Sequence, residues 1–346
     1  MNPYVLTILL FSLGLGTTMT FASSHWMMAW MGLEINTMAI LPLMAQHHHP
    51  RAMEATTKYF LVQAAAAATL LFASITNAWL SGQWEIKNMN HPLPVTIIIM
   101  ALSLKLGLAP VHAWLPDVLQ GLNLNTGLII ATWQKLAPLS LLIQIQPSNP
   151  HLLIFLGLTS TLIGGWGGLN QTQIRKILAY SSIAHLGWMI LVVQFSPSIT
   201  TLTLMIYLIM TYSIFTIFKL NNSTNINTLA TSWTHTPIIS ALTPLILLSL
   251  AGLPPLSGFL PKWIIIQELL NQNMAMMATL TALSALLSLY FYLRLSYALT
   301  LTISPNNSTG TIPWRFTNNS TNLPLAITSS MTICLLPLSP ALLHMI

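Results

Sequence analysis

Ile97-Ile-Ile-Met-Ala-Leu-Ser-Leu-Lys-Leu-Gly-Leu-Ala-Pro-Val-His-Ala-Trp-Leu-Pro-Asp117 decides the fold. An apolar run leads into a single lysine, Lys105, and then crosses Pro110 and Pro116 without becoming polar. Interior prolines remove a backbone hydrogen bond and kink or break a helix. A broken helix surrounded by apolar sequence belongs at membrane depth, where irregular backbone survives only buried in protein or lining a wet cavity. The expected element is a discontinuous helix over about 95–119, with Lys105 close to its break.

A second stretch repeats the pattern. Leu108 to Asp117 (Leu-Ala-Pro-Val-His-Ala-Trp-Leu-Pro-Asp) aligns at an offset of 145 residues with Leu253 to Lys262 (Leu-Pro-Pro-Leu-Ser-Gly-Phe-Leu-Pro-Lys). Leucine, proline, an aromatic, leucine and proline recur in register. The second copy lies in an apolar segment, 237–271, that is too long for one straight crossing and holds Pro244, Pro254, Pro255 and Pro261.

The rest of the chain suits a bilayer. Only 5% of its 346 residues are charged, against about a quarter in a soluble domain. Apolar residues form long runs instead of alternating with polar ones. Eleven spanning segments are expected, at about 3–21, 25–45, 56–80, 95–119, 122–144, 150–170, 174–195, 199–220, 237–271, 274–300 and 323–345. Most suit a helix of about 20 residues across a core of about 30 Å. The first run has no basic flank and a second apolar run follows it directly, so no removable signal or transit peptide is expected. Polar stretches at about 221–236 and 303–322 are read as loops. Their sequons at Asn221 and Asn306 are expected to be unglycosylated. With no room for a soluble domain, the chain reads as one transmembrane domain over 1–346.

The offset pairs the first five spans with spans six to ten. Five is odd, so the two halves, about 3–144 and 150–300, would be inverted relative to each other, with an extra C-terminal helix at about 323–345. Inverted repeats with matched broken helices typify secondary transporters. Arg51, Lys58, Arg175, Lys176, Lys219 and Arg315 gather on the N-terminal side. Lys87, Glu85 and Glu268 fall on the other. The N-terminus is therefore expected in the positive-inside compartment and the C-terminus opposite.

Net charge is +6, but the basic residues are scattered singly, with no basic cluster interleaved with aromatics. Nucleic-acid binding is thereby excluded. One cysteine, Cys334, cannot build a disulfide, zinc or iron–sulfur site and is expected to pack as a small apolar residue. His47-His48-His49 has no companion carboxylate or cysteine, so no metal site is expected. There is no phosphate-binding glycine loop, dinucleotide fingerprint or nucleophile elbow. The Gly164-Gly-Trp-Gly-Gly168 run is read as close helix packing.

The candidate functional residues are the stranded charges Glu34, Lys105, Lys135 and Lys262. Glu34 and Lys135 lie mid-span, and Lys262 closes the second break. Each such charge costs at least about 2.5 kcal/mol at the bilayer centre. Burial disfavours a charged ammonium and a nearby carboxylate restores it, so a row of lysines with one glutamate can pass a proton along. The competing reading is static ion pairing, for example Glu34 with Lys105, but one glutamate cannot neutralise three lysines. His112 and His185 are further candidates, because imidazole titrates near neutral pH, although a lone histidine in an apolar helix is often only packed.

Lys105 to Asp117, Arg175-Lys-Ile-Leu-Ala-Tyr-Ser-Ser-Ile-Ala-His-Leu-Gly187 and Ala251-Gly-Leu-Pro-Pro-Leu-Ser-Gly-Phe-Leu-Pro-Lys262 carry a family resemblance. Over its whole length the chain resembles the antiporter-like membrane subunits of NADH:ubiquinone oxidoreductase (complex I) and of multisubunit cation/proton antiporters, in the shortened vertebrate mitochondrial form. The resemblance implies an all-α bundle of two inverted five-helix repeats, each with a discontinuous helix. Bacterial relatives have fourteen helices, and loss of three gives eleven. It implies that Glu34, Lys105, Lys135 and Lys262 are the family's glutamate and three central lysines, coupling quinone reduction elsewhere to proton pumping. Some related subunits carry glutamate where this chain has Lys262. No cofactor is expected in this chain. Flavin (FMN), iron–sulfur clusters and ubiquinone belong to other subunits. The implied partners are neighbouring membrane subunits and lipids, and the implied location is the mitochondrial inner membrane with the N-terminus in the matrix and the C-terminus in the intermembrane space. The alternatives are a stand-alone cation/proton antiporter and a purely structural spacer.

Overall fold

Pro3, Pro50, Pro92, Pro197 and Pro237 each open a helix. A proline costs nothing there, since its missing N–H would be unpaired anyway and its fixed φ suits the first turn. Asn2, His25 and His49 cap the helices that follow them by accepting from the backbone N–H groups of Tyr4, Met27 and Arg51. The computed structural model describes residues 2–46, 49–89, 91–145, 150–234, 236–301 and 323–344. Apart from two isolated bridges, their regular structure is helical.

The chain divides into two units, residues 1–160 with 193–197, and residues 161–192 with 198–346. The first holds α1 (Pro3–Ala22), α2 (Trp26–Met44), α3 (Pro50–Ser81), α4 (Pro92–Leu106), α5 (Trp114–Gly121), α6 (Leu124–Ala131), α7 (Trp133–Ile145) and the start of α8 (His151–Gly167). The second holds the end of α8, then α9 (Ile174–Val192), α10 (Pro197–Leu220), α11 (Ile226–Ala230), α12 (Pro237–Ala251), α13 (Phe259–Asn271), α14 (Ala275–Thr300), α15 (Leu323–Cys334) and α16 (Ser339–His344).

Among the described residues, six helical stretches are long and apolar enough to cross a bilayer: α1, α2, α3, 124–145, α10 and α14. Shorter apolar helices are α4, α8, α12 and α15. Both proline-rich segments are broken as expected, α4 from α5 and α12 from α13. The halves end on glycines in the left-handed region, Gly107 at φ +78° and Gly252 at φ +79°, 145 residues apart. Only glycine adopts that conformation freely, which is why each half-helix stops there. The Ala109–Pro110 and Pro254–Pro255 peptides are both cis.

Each unit also ties two of its loops together. In the first, the Trp26 amide donates to Trp84 O (3.0 Å) and the Ile86 amide to Ser24 O (3.0 Å), with His25 stacked on Trp84. In the second, the Ile174 amide donates to Thr224 O (3.1 Å) and the Ile226 amide to Thr172 O (3.2 Å). In both, an otherwise orphan amide at the start of a helix finds its acceptor on another loop.

Glycines set the close approaches. A Cβ on Gly32 would stand 2.8 Å from Gly16 O, so α1 and α2 cross with backbones nearly touching. Gly164, Gly165, Gly167 and Gly168 meet Ala184, Leu287, Tyr180 and Phe291, the close packing that the glycine run predicts. Arg294 of α14 donates to the carbonyls of Leu169 (2.5 Å) and Gln171, so it is partly buried and paired.

Three expectations need correction. The segment 323–345 is not one continuous helix: α15 ends at Cys334 and a short 3₁₀ turn, Leu336–Leu338, precedes α16. Pro337 and Pro340 withhold the amides that would have continued it. Cys334 is exposed instead of packed. α15 buries Ser329 and Thr332, and two residues further, at about 100° per residue, the side chain points away from that face. The stretch 221–236 is not all loop. Asn225 and Thr228 form a reciprocal capping box that starts α11, and a 3₁₀ turn follows at Thr231–Thr234. The loop at 303–322 with Asn306 and Arg315, and His47 and His48, lie outside the described residues.

Candidate functional site

Lys105 is in the last turn of α4 and Lys135 is near the start of α7. Both ammonium side chains are buried, at 6% and 2% exposure. A mid-bilayer charge is tolerable only where it faces protein or water, and both lysines line the same cavity. Its other walls include Thr37, Tyr59, Gln63 and Gln134. The cavity volume is about 10 Å³, close to the roughly 10–15 Å³ that one water requires. It is therefore about the size of a single water. Lys105 Nζ has no hydrogen-bond partner among the described residues. Its place in the last turn of α4 sets it against the negative end of the helix dipole, worth about 0.3–1 kcal/mol to a cation.

Glu34 is partly buried on α2. Thr37 Oγ1, in a wall of the lysine cavity, shares its proton between the Glu34 backbone carbonyl (2.9 Å) and the Glu34 carboxylate (3.1 Å). Glu34 interacts through space with Lys105 and with Tyr59. No closed ion pair joins Glu34 to Lys105. The salt bridges among the described residues run from Lys58 to Glu54 (2.8 Å) and to Asp117 (3.5 Å). The glutamate stands one hydroxyl away from the cavity.

Other bonds fix the walls. Gln134 Nε2 donates to Asn36 O (3.3 Å), pinning α7 to α2. Gln63 Nε2 makes a long bond to Lys105 O (3.5 Å). Trp114 Nε1 donates to Leu104 O (3.1 Å), satisfying a carbonyl at the broken end of α4 from the first residue of α5.

His112 lies in the break itself, its Nδ1 3.2 Å from Pro110 O. It is not among the residues lining the lysine cavity.

In the second unit, Lys262 and His185 come together. They line another cavity of about 10 Å³ with Thr203 and Tyr207. Lys262 Nζ donates to Ala251 O at 2.6 Å, the carbonyl at the broken C-terminal end of α12. The first unit closes its break with the Trp114 indole. The second uses a cation against the helix dipole. The His185 and Tyr207 rings are 5.6 Å apart. Asp117, aligned with Lys262 in the repeat, is instead half exposed and bound by Lys58.

Thr37, Tyr59, Gln63, Gln134, Thr203 and Tyr207 escape a reading based on charge. Signals for some exist: Thr37 is three residues from Glu34 on one helix face, Gln134 adjoins Lys135, and Gln63 interrupts an apolar run. Tyr59 and Tyr207 carry no such mark. Among the described residues no group of three or more histidine, cysteine or acidic side chains could hold a metal.

The chain matches known proteins. The family described as NADH:quinone oxidoreductase/Mrp antiporter, TM matches residues 23–288. The family described as NADH dehydrogenase subunit 2 C-terminus matches residues 289–343. The chain is 69% identical over 343 residues to NADH-ubiquinone oxidoreductase chain 2 of Tetraodon nigroviridis, covering 99% of each. It is 67% identical over 347 residues to that of Oncorhynchus mykiss, covering 100% of this chain and 99% of the relative. In fold it is similar to a chain of respiratory complex I from Thermus thermophilus, with TM-score 0.86, 24% identity and coverage of 99% of this chain and 80% of that one. It is also similar to a chain of the Mrp complex from Dietzia sp. DQ12-45-1b, with TM-score 0.84, 17% identity and coverage of 97% and 75%.

Proposed function

The chain belongs to the NADH-ubiquinone oxidoreductase chain 2 family, and on that premise we propose that it moves protons across the mitochondrial inner membrane as a subunit of that oxidoreductase. The observation that carries this reading is the first cavity: two buried lysines around space for one water, with a glutamate one hydroxyl away. Such a set holds a proton at Lys105 Nζ while Glu34 is ionised, and passes it to Lys135 across the shared water. In the second unit, Lys262 holds a proton against the Ala251 carbonyl, with His185 as the adjoining acceptor.

The architecture proposed is eleven crossings, in two inverted five-helix repeats at about 3–144 and 150–300 with an extra C-terminal segment. Two observations support the repeat. The left-handed glycines of the breaks recur at the 145-residue offset. The paired loops of each unit occupy corresponding places, one before the second helix of the repeat and one after the third. The N-terminus is proposed in the matrix and the C-terminus in the intermembrane space, by the distribution of basic residues. The partners are other membrane subunits of the complex, including neighbouring antiporter-like subunits, together with lipids. FMN, iron–sulfur clusters and ubiquinone are assigned to other subunits.

A stand-alone cation/proton exchanger fits less well, because the relatives that match the whole chain at 67–69% identity are NADH-ubiquinone oxidoreductase chain 2. The test uses Glu34→Gln and Lys105→Met in the assembled complex. Each is expected to lower proton-coupled quinone reduction while assembly persists. An unchanged proton-to-electron ratio in both would refute the reading.

A further inference from the structure

We propose that Thr37 is a positioning residue of the relay: its hydroxyl holds the ionised Glu34 carboxylate at the wall of the Lys105 cavity and releases it when Glu34 takes up a proton. This rests on the proton-translocation reading above and adds the means by which the glutamate changes its place.

Thr37 follows Glu34 by three residues, so the two side chains meet on one face of α2. Thr37 is buried and lines the cavity of Lys105. A threonine inside a helix ordinarily gives its proton to the backbone carbonyl three or four residues back. Thr20 of α1 does so, to Thr17 O at 2.7 Å. Thr37 differs. Its bond to Glu34 O is 2.9 Å, and the Glu34 carboxylate takes a share at 3.1 Å. A hydroxyl has one proton to donate, so two acceptors of the same residue compete for it.

The charge on Glu34 decides that competition. A hydrogen bond to an ionised acceptor is shorter and roughly twice as strong as a neutral one. An ionised carboxylate therefore draws the Thr37 proton and is tethered at the cavity wall. A protonated carboxyl is a weaker acceptor, so the proton returns to the Glu34 backbone carbonyl and the side chain is freed. Glu34 acts on Lys105 through space, and such an attraction falls with distance. The tether thus sets how strongly the carboxylate favours the charged form of the lysine. The backbone around Glu34 is pinned on both sides. Trp30 Nε1 donates to Ala67 O of α3 at 3.2 Å, and Gln134 Nε2 of α7 donates to Asn36 O at 3.3 Å. The moving part is therefore the Glu34 side chain and not α2.

The test must separate the tether from an ordinary helix bond. Thr37→Val keeps the branched shape and removes the hydroxyl. Thr37→Ser keeps the hydroxyl and removes the methyl. Thr20→Val removes a bond of the same spacing that ends on a backbone carbonyl. These variants are compared with Lys105→Met in intact complex reconstituted in liposomes, by complex yield and by the initial rate of NADH-driven acidification. Thr37→Val is expected to assemble normally and to acidify on the order of tenfold more slowly. Thr37→Ser recovers the rate, and Thr20→Val does not lose it. A rate in Thr37→Val equal to that of the unsubstituted complex would overturn the inference. So would Thr37→Ser or Thr20→Val as slow as Thr37→Val. If Lys105→Met loses pumping while Thr37→Val does not, the inference alone falls. If Lys105→Met pumps normally, the underlying translocation reading falls. Should Thr37→Val not assemble, Thr37→Ala decides by the same criterion.

Discussion

Replacing Gly252 by alanine separates the backbone cost of the broken helix from its effect on the lysine. Gly252 ends α12 with φ at +79°, a conformation that costs an L-residue about 1–2 kcal/mol. The added methyl would also stand 2.8 Å from Lys262 Cδ, 3.0 Å from Cε and 3.0 Å from Nζ. The lysine side chain must then shift, which strains its 2.6 Å bond to Ala251 O. A charged-donor hydrogen bond is worth about 1.5–3 kcal/mol. Gly82 supplies the control. It ends α3 with φ +71°, and nothing lies within 4 Å of its added Cβ. Gly82→Ala therefore pays the conformational cost alone. The assay is yield of assembled complex together with the proton-to-electron ratio in liposomes. Gly252→Ala is expected to lower the ratio in whatever complex assembles, while Gly82→Ala lowers yield modestly and leaves the ratio intact. Equal ratios in the two variants would refute the claim that Gly252 makes room for the working position of Lys262.

Two further outcomes follow from contacts already described. Gly258→Ala should abolish assembly, because its Cβ would sit 1.7 Å from Ser249 O and backbone cannot yield as a flexible side chain can. Normal complex levels on a native gel would contradict the close approach of α12 and α13. Arg294→Met should destabilise the second unit by about 1.5–3 kcal/mol, since Arg294 donates to the Leu169 and Gln171 carbonyls and charged-group hydrogen bonds have that worth. A lower thermal midpoint with unaltered pumping per assembled complex is the expected signature, and an unchanged midpoint would count against it.

The charged part of the site was legible because charge is conspicuous in an apolar chain. Lys105, Lys135 and Glu34 stand out by the cost of burying them, and the structure brings Lys105 and Lys135 to one cavity with Glu34 reaching it through Thr37. His185 joins Lys262, whereas His112 stays on the break beside Pro110 O. The neutral walls were not legible. A threonine, glutamine or tyrosine costs too little in a helix to be conspicuous, and which face of its helix meets a lysine depends on packing. The same holds for Cys334, whose apolar neighbours suggested burial that the orientation of α15 does not provide.

The two proline-rich breaks fall just after Gly107 and Gly252. Sequence alone determined that these helices stop, because Pro110, Pro254 and Pro255 have no amide to donate and Gly107 and Gly252 can take a positive φ. It also determined that the chain belongs in a bilayer, since 5% charge cannot cover a water-facing surface. Only tertiary structure decided how each broken end is satisfied: Leu104 O by the Trp114 indole in one unit, Ala251 O by Lys262 in the other. Local sequence governs backbone conformation within a turn or two. The partner of an orphan carbonyl is chosen by a half-helix that arrives from across the break, and no short-range pattern encodes that meeting.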